Sequence, residues 1–179
     1  MKLLVTQEEY IKFTRPFDAL ERNYYKFLKK HEIIPVPNTV KVPDYDYDCL
    51  VLTGGPDSRD RHKTENLLFN DAYKKNIPIL GICHGAFVIN DLCGGVHGKV
   101  EGHIDCDVTI TMYNKKYKVK CYHAQSIQML GKDFTAIAHD DQGNIEAFKH
   151  DTRPIYGVVW HPERMKVPVL PDEVKKLLD

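Results

Sequence analysis

The stretch "IPILGICHGAFVINDLC", residues 77–93, restricts the fold more than any other part of the chain. Its first half is apolar on both faces, which is the pattern of a parallel strand covered by helices. It runs into Gly81-Ile82-Cys83-His84-Gly85 and then into a helical stretch that stops at Gly94-Gly95. A nucleophile on a sharp strand-to-helix turn has a strained backbone, and the residues two before and two after it crowd together. Both must be small, which is the reason for Gly-x-Ser-x-Gly in serine hydrolases. Such a turn would present Cys83 at the carboxyl edge of a parallel sheet, where open α/β sheets bind ligands. A helix N-terminus beneath the sulfur favours the thiolate. Read alone, the pentapeptide fits equally well a core cysteine in a tight turn, so the rest of the chain has to decide.

The remainder alternates strand and helix up to Gly95. "LLVT", "IIPVP", "CLVLTGG" and "IPILGI" read as strands, and "TENLLFNDAYKKN" and "GAFVINDLC" as helices. Phe17, Leu20, Tyr24, Phe27 and Leu28 recur at helical spacing, with Pro16 placed to start a helix. This order predicts an α/β fold with a mostly parallel sheet covered on both sides. After Gly95 the strands "DVTITMY", "KYKVKCY", "FTAIAH" and "NIEAFK" are short and alternating, which predicts a small antiparallel extension. "IYGVVW" is again a buried strand, and "PDEVKKLLD" closes as a helix with Pro171 near its first turn. No repeat or low-complexity segment divides the chain, and 179 residues suit one domain spanning 1–179.

Twenty-five basic and 25 acidic residues cancel, so charge gives no case for a nucleic-acid or membrane-surface partner. No apolar run is long enough to span a bilayer, and "MKLLVTQEEY" turns polar too soon for a signal peptide. The five cysteines, Cys49, Cys83, Cys93, Cys106 and Cys121, are odd in number and scattered, which argues against a disulfide framework and for a reducing, cytoplasmic setting.

A thiol nucleophile needs a base, and the base needs an orienting partner. His161-Pro162-Glu163 follows a core strand, so it too lies at the sheet's edge, and Glu163 can turn back to hold one imidazole nitrogen while the other faces Cys83. Acyl transfer also needs oxyanion donors. The N–H of His84 is one, and "LTGGPDS", with Gly54 and Gly55, offers bare backbone for the second.

"LTGGPDS", "ILGICHGAF" and "GVVWHPE" occur in the order and approximate spacing of class I (triad) glutamine amidotransferases, and the resemblance covers nearly the whole chain. "RHKTENLLFNDAYKKNIPILGICHG" and "VKCYHAQSIQMLGKDFTAIAHDDQGNIEAF" resemble the γ-glutamyl hydrolase branch of that superfamily. The resemblance implies a flavodoxin-like three-layer α/β/α sandwich and cleavage of a small-molecule γ-glutamyl amide through a thioester, without a cofactor. It makes Cys83 the nucleophile, His161 the acid/base, Glu163 its orienter, and Gly55 and His84 the oxyanion donors. It places Gly54, Phe87, Tyr122, His123, Ala124 and Gln125 around the glutamyl group. The family's elbow usually carries glutamine where this chain has Phe87, and Arg61-His62 stands for its Arg-Asp, so substrate recognition departs from the pattern.

The main expectation is therefore a stand-alone γ-glutamyl hydrolase, monomeric or homodimeric. One alternative is an ammonia-supplying glutaminase subunit working with a separate synthase partner. Another is a catalytically silent binding protein on the same fold. No metal is expected: His97, His103, Cys106, Cys121 and His123 match no compact zinc spacing and read as packing or surface, although the resemblance puts His103 near the site. Arg61 and Glu65, four apart, read as a solvated helix pair worth a few tenths of a kcal/mol, and Tyr45 and Tyr47 as part of a solvated acidic loop.

Overall fold

The computed structural model describes residues 1–44 and 46–179. The chain opens with strand β1 (Lys2–Thr6), a hairpin of β2 (Glu8–Lys12) and β3 (Arg15–Ala19), and the short helix α1 (Arg22–Phe27). Next come β4 (Glu32–Val36), β5 (Cys49–Leu52), α2 (Arg59–Lys75), β6 (Ile79–Ile82) and α3 (His84–Leu92). The second half carries β7 (Val96–Lys99), β8 (Cys106–Met112), β9 (Lys115–Cys121), β10 (Gln125–Met129), β11 (Phe134–Asp140), β12 (Ile145–His150), β13 (Ile155–Val158) and α4 (Asp172–Leu178).

The main sheet runs in the order β4-β1-β5-β6-β13-β12-β11-β8-β9. Strands β4, β1, β5, β6 and β13 are parallel. From β12 outward the pairing turns antiparallel and continues the same sheet. Successive residues of the parallel strands serve opposite faces. Leu3, Val5, Val51 and Leu80 join Tyr24, Leu28 and Val174 on one side, whereas Leu4, Leu50, Leu52 and Ile79 join Leu68, Phe69, Ala86 and Ile89 on the other. Two cores on either side of one sheet make the three-layer α/β/α sandwich, and each Leu or Ile fully buried there contributes about 1.5–3 kcal/mol. No described helix is long and apolar enough to cross a membrane.

The structure corrects the expectation of a helix from Pro16. Residues 8–19 form a separate two-stranded sheet in which Tyr10 faces Phe17 and Ile11 faces Pro16. Phe13 and Thr14 turn the chain with φ of 50° and 64°, the conformation of a two-residue hairpin loop that matches strand twist. Phe17 is half exposed, while Tyr24 and Leu28 are buried, so the helical stripe is real only from Tyr24 onward. Strands β7 and β10, which pair with each other, give too short an alternation to stand out in sequence. Tyr47 is buried, with its hydroxyl donating to Asp71 at 3.0 Å, which corrects the solvated-loop reading. Tyr45 lies outside the described residues.

Candidate active site

Strand β6 ends at Ile82, and Cys83 sits at the N-cap of α3 with φ 50° and ψ −107°. Such a conformation in a residue with a Cβ costs of order 1–3 kcal/mol and persists only where its surroundings enforce it. The flanking glycines show what enforces it. A Cβ on Gly81 would stand 2.6 Å from the Gly85 backbone, and one on Gly85 would stand 2.1 Å from the Leu52 carbonyl oxygen. The Cys83 N–H donates to Val158 O at 2.8 Å and that of Gly85 to Thr53 O at 3.1 Å, which clamps the turn between the ends of β13 and β5.

His161 follows β13, the strand beside β6, and so reaches the same edge. Its Nδ1 lies 2.6 Å from Glu163 Oε1, and both side chains are almost fully buried. Nε2 is left for Cys83. Burial disfavours the charged imidazole, but hydrogen bonds with Cys83 and Glu163 outweigh it and raise the His161 pKa to about 9. Gly54 floors the gap: a Cβ there would lie 2.7 Å from His161 Cε1 and 3.4 Å from Cys83 Cβ. The Gly54 N–H is taken by the buried Tyr24 hydroxyl at 2.8 Å. Among the described residues, the N–H groups of Gly55 and His84 donate to no protein acceptor, as oxyanion donors require. Gly55 has φ 110°.

A cleft of about 420 Å³ opens over Cys83, lined by Glu8, Tyr10, Gly55, Pro56, Tyr122, His161 and Arg164. Glu8, Tyr10 and Arg164 are site residues that no sequence motif marked. The alternation in "EEYIK" was the available signal for the first two, since it marks a strand returning over the site. Glu8 is buried against Gly55 and accepts from the Tyr10 hydroxyl at 2.6 Å, which raises the Tyr10 pKa to about 12. Arg164 holds Glu21 at 2.8 Å.

The substrate-binding expectations divide. Tyr122 lines the cleft, and its carbonyl lies 3.8 Å from the Cys83 thiol as an acceptor. Phe87 does not line it: the ring is buried in the α2–α3 core, edge-on to His97 with centroids 4.9 Å apart. Ala124 and Gln125 are exposed at the start of β10. His123 points away from the cleft into a buried cluster with Cys121, His103, Asp140 and Glu146. Burial lowers the His123 pKa to about 4 and, with Asp140 nearby, raises that of Glu146 to about 8. This corrects the packing-or-surface reading of His103, Cys121 and His123. His97 stays apart, 3.4 Å from Asp91.

Arg61 and Glu65 also depart from the solvated helix pair expected of them: neither side chain is exposed at all. The Arg61 guanidinium donates to the carbonyls of Thr53, Gly54 and Pro56 at 2.7, 3.1 and 2.9 Å. Glu65 Oε2 holds the His84 imidazole at 2.9 Å.

A cysteine on a glycine-flanked elbow, beside a carboxylate-held histidine on a three-layer parallel sheet, defines a thiol-dependent amidotransferase-type site. Residues 17–173 match the family model for class-I glutamine amidotransferase, and the chain belongs to that family. It is 37% identical over 140 residues to the glutamine-hydrolyzing subunit of GMP synthase from Methanosarcina barkeri, covering 72% of each chain. Identity to the same-named protein of Methanocaldococcus jannaschii is 30% over 141 residues, or 72% of this chain and 73% of that one. A Thermoplasma acidophilum structure, provisionally assigned to GMP synthase, shares the fold with TM-score 0.78 at 23% identity, over 99% of this chain and 92% of that one. A Thermotoga maritima glutamine amidotransferase shares it with TM-score 0.72 at 17% identity, over 90% and 76%. These likenesses favour the alternative of an ammonia-supplying glutaminase over the γ-glutamyl hydrolase expectation.

Proposed function

We propose that this chain hydrolyses glutamine and supplies ammonia to a separate synthase partner, as the names of its GMP synthase relatives suggest. The observation that carries the reading is the assembly of Cys83, His161 and Glu163 in one cleft, with His161 Nδ1 2.6 Å from Glu163. The Cys83 thiolate attacks the carboxamide carbon, and the Gly55 and His84 N–H groups hold the oxyanion. His161 protonates the departing nitrogen, so ammonia leaves and a glutamyl thioester remains. The neutral imidazole then takes a proton from water, which attacks the thioester and releases glutamate, returning the proton to the Cys83–His161 pair. Glu8 and Arg164, on the rim of the same cleft, complement the α-ammonium and α-carboxylate of an amino acid. They would supply polar recognition that Phe87 does not.

The test is rapid-quench mass spectrometry with glutamine, combined with glutamate release by the isolated chain before and after adding the separate synthase. The expected result is a glutamyl adduct on Cys83, absent in Cys83→Ala, and turnover that rises with the partner. Efficient cleavage of γ-glutamyl amides of larger amines, with no response to a partner, would replace this reading with the hydrolase. No adduct from any γ-glutamyl compound would leave a silent binding protein.

A further inference from the structure

The proposed reaction makes no use of the buried cluster behind Tyr122. Cys121 and His123 flank that residue, and Glu146 on β12 faces both. His103, His123 and Glu146 are each at least nine-tenths buried. Among the described residues, His103 Nδ1, His123 Nε2 and Glu146 Oε2 make no hydrogen bond. Three unsatisfied buried polar atoms in one place cost too much to be incidental packing.

The tautomer of His123 shows what is missing. Its Nδ1 lies 2.8 Å from the Gln125 carbonyl oxygen. A carbonyl only accepts, so Nδ1 carries the proton and Nε2 presents a lone pair. That lone pair faces Glu146 Oε2 at 3.7 Å, an acceptor opposite an acceptor, and longer than the hydrogen-bond limit of about 3.2 Å. Two ligands held about 2.0–2.1 Å from one tetrahedral zinc ion stand about 3.3 Å apart, so the gap is a few tenths of an ångström from closing on an ion. The Cys121 sulfur completes a set in which a ring nitrogen of His123, a carboxylate oxygen of Glu146 and Sγ lie within 4.8 Å of one another. A histidine anchored through Nδ1 to a backbone carbonyl is also how metal-ligating imidazoles are oriented.

The geometry points to a site for one divalent transition-metal ion of the zinc type, ligated by Cys121 Sγ, His123 Nε2 and the Glu146 carboxylate. A thiolate and an imidazole in the donor set select zinc-like ions over magnesium or calcium. Binding converts the Cys121 thiol to thiolate and releases its proton to solvent. His103 and Asp140 stand on the far side of Glu146: His103 Nε2 is 3.8 Å from Glu146 Oε1 and 3.1 Å from Asp140 Oδ2. They orient the carboxylate, and they line a cavity of about 220 Å³ that opens toward the surface and gives an ion a way in. The bound ion fixes the two residues on either side of Tyr122, whose carbonyl faces the Cys83 thiol. The site is therefore structural, pinning one wall of the cleft.

The test uses the Cys83→Ala chain, so that the elbow thiol cannot itself take metal. After chelation and dialysis it is loaded with Co²⁺ or Zn²⁺. The expected result is one ion per chain and, for Co²⁺, a near-ultraviolet thiolate-to-metal band. Cys121→Ser removes the band, Glu146→Gln weakens binding at least tenfold, and Cys106→Ser changes neither. Circular dichroism confirms that each variant is folded. Failure of the folded parent to take up a stoichiometric ion, or a thiolate band that survives Cys121→Ser, overturns the proposal.

Discussion

The Arg61 guanidinium and the Glu65 carboxylate meet at 3.0 Å, one helical turn apart on α2, with no solvent on either side chain. Through them α2 grips both loops that flank the cysteine. Arg61 ties down the carbonyls of Thr53, Gly54 and Pro56, and Glu65 holds His84. Burial pushes the Glu65 pKa up, but His84 and Arg61 more than offset this and hold it below the usual carboxylate range. Removing one partner leaves the other charged, dry and unpaired. Arg61→Ala should therefore lose about 3–5 kcal/mol, read by urea denaturation. Arg61→Lys should recover the charge but not the three carbonyl contacts, because an ammonium lacks the planar fork. Equal stability in Arg61→Ala and the parent would mean that the pair does not brace these loops.

Cys83 stores strain that glycine would not. With φ 50° and ψ −107°, Cys83→Gly should raise the thermal midpoint, corresponding to about 1 kcal/mol or more, while abolishing glutamine turnover. Cys83→Ala keeps the Cβ and should abolish turnover without that gain. A Cys83→Gly protein less stable than Cys83→Ala would show that the elbow is relaxed.

His161 gives a pH dependence with a definite sign. Its pKa rises from the ordinary 6.5 to about 9 in the folded chain, so its charged form adds stability that is fully present below pH about 6.5 and is lost as pH rises through about 9. The same proton is the one delivered to the departing nitrogen, so kcat/KM should fall on the alkaline side near pH 9. Glu163→Gln removes one of the two contacts that favour the cation and should move that limb to lower pH. A pH–rate profile whose alkaline limb stays in place in Glu163→Gln would break the assignment.

Gly54→Ala is a steric test. A Cβ at 2.7 Å from His161 Cε1 must displace the imidazole, and misplacing a reacting group by about 1 Å can cost on the order of 100-fold in rate. Steady-state assays should show the loss mainly in kcat, with far-ultraviolet dichroism unchanged. An unaffected kcat would show that the ring does not need its present position.

Glu8→Gln tests recognition. A charge-assisted hydrogen bond is worth about 1.5–3 kcal/mol, so KM for glutamine should rise roughly 10- to 100-fold with a smaller change in kcat. An unchanged KM would assign Glu8 to packing against Gly55.

Much of this was legible in sequence because it is local. Gly81, Cys83 and Gly85 lie within five residues and encode their own turn, and the apolar runs of β5, β6 and β13 announce a covered parallel sheet. The spacing of His161 and Glu163 fixes their pairing once the strand before them is placed. Tertiary structure decided what depends on distance in space. Whether Phe17 begins a helix rests on its cross-strand pairing with Tyr10. Whether Arg61 and Glu65 are solvated rests on where α2 lands, and helical spacing is the same for a wet pair and a dry one. Glu8 meets Gly55 across 47 residues, and Cys121 and His123 meet Glu146 across the antiparallel extension. Periodicity reports which face of its own element a residue occupies. It cannot report what another element brings to that face, and the contents of the cleft and of the buried cluster behind it are set by that second fact.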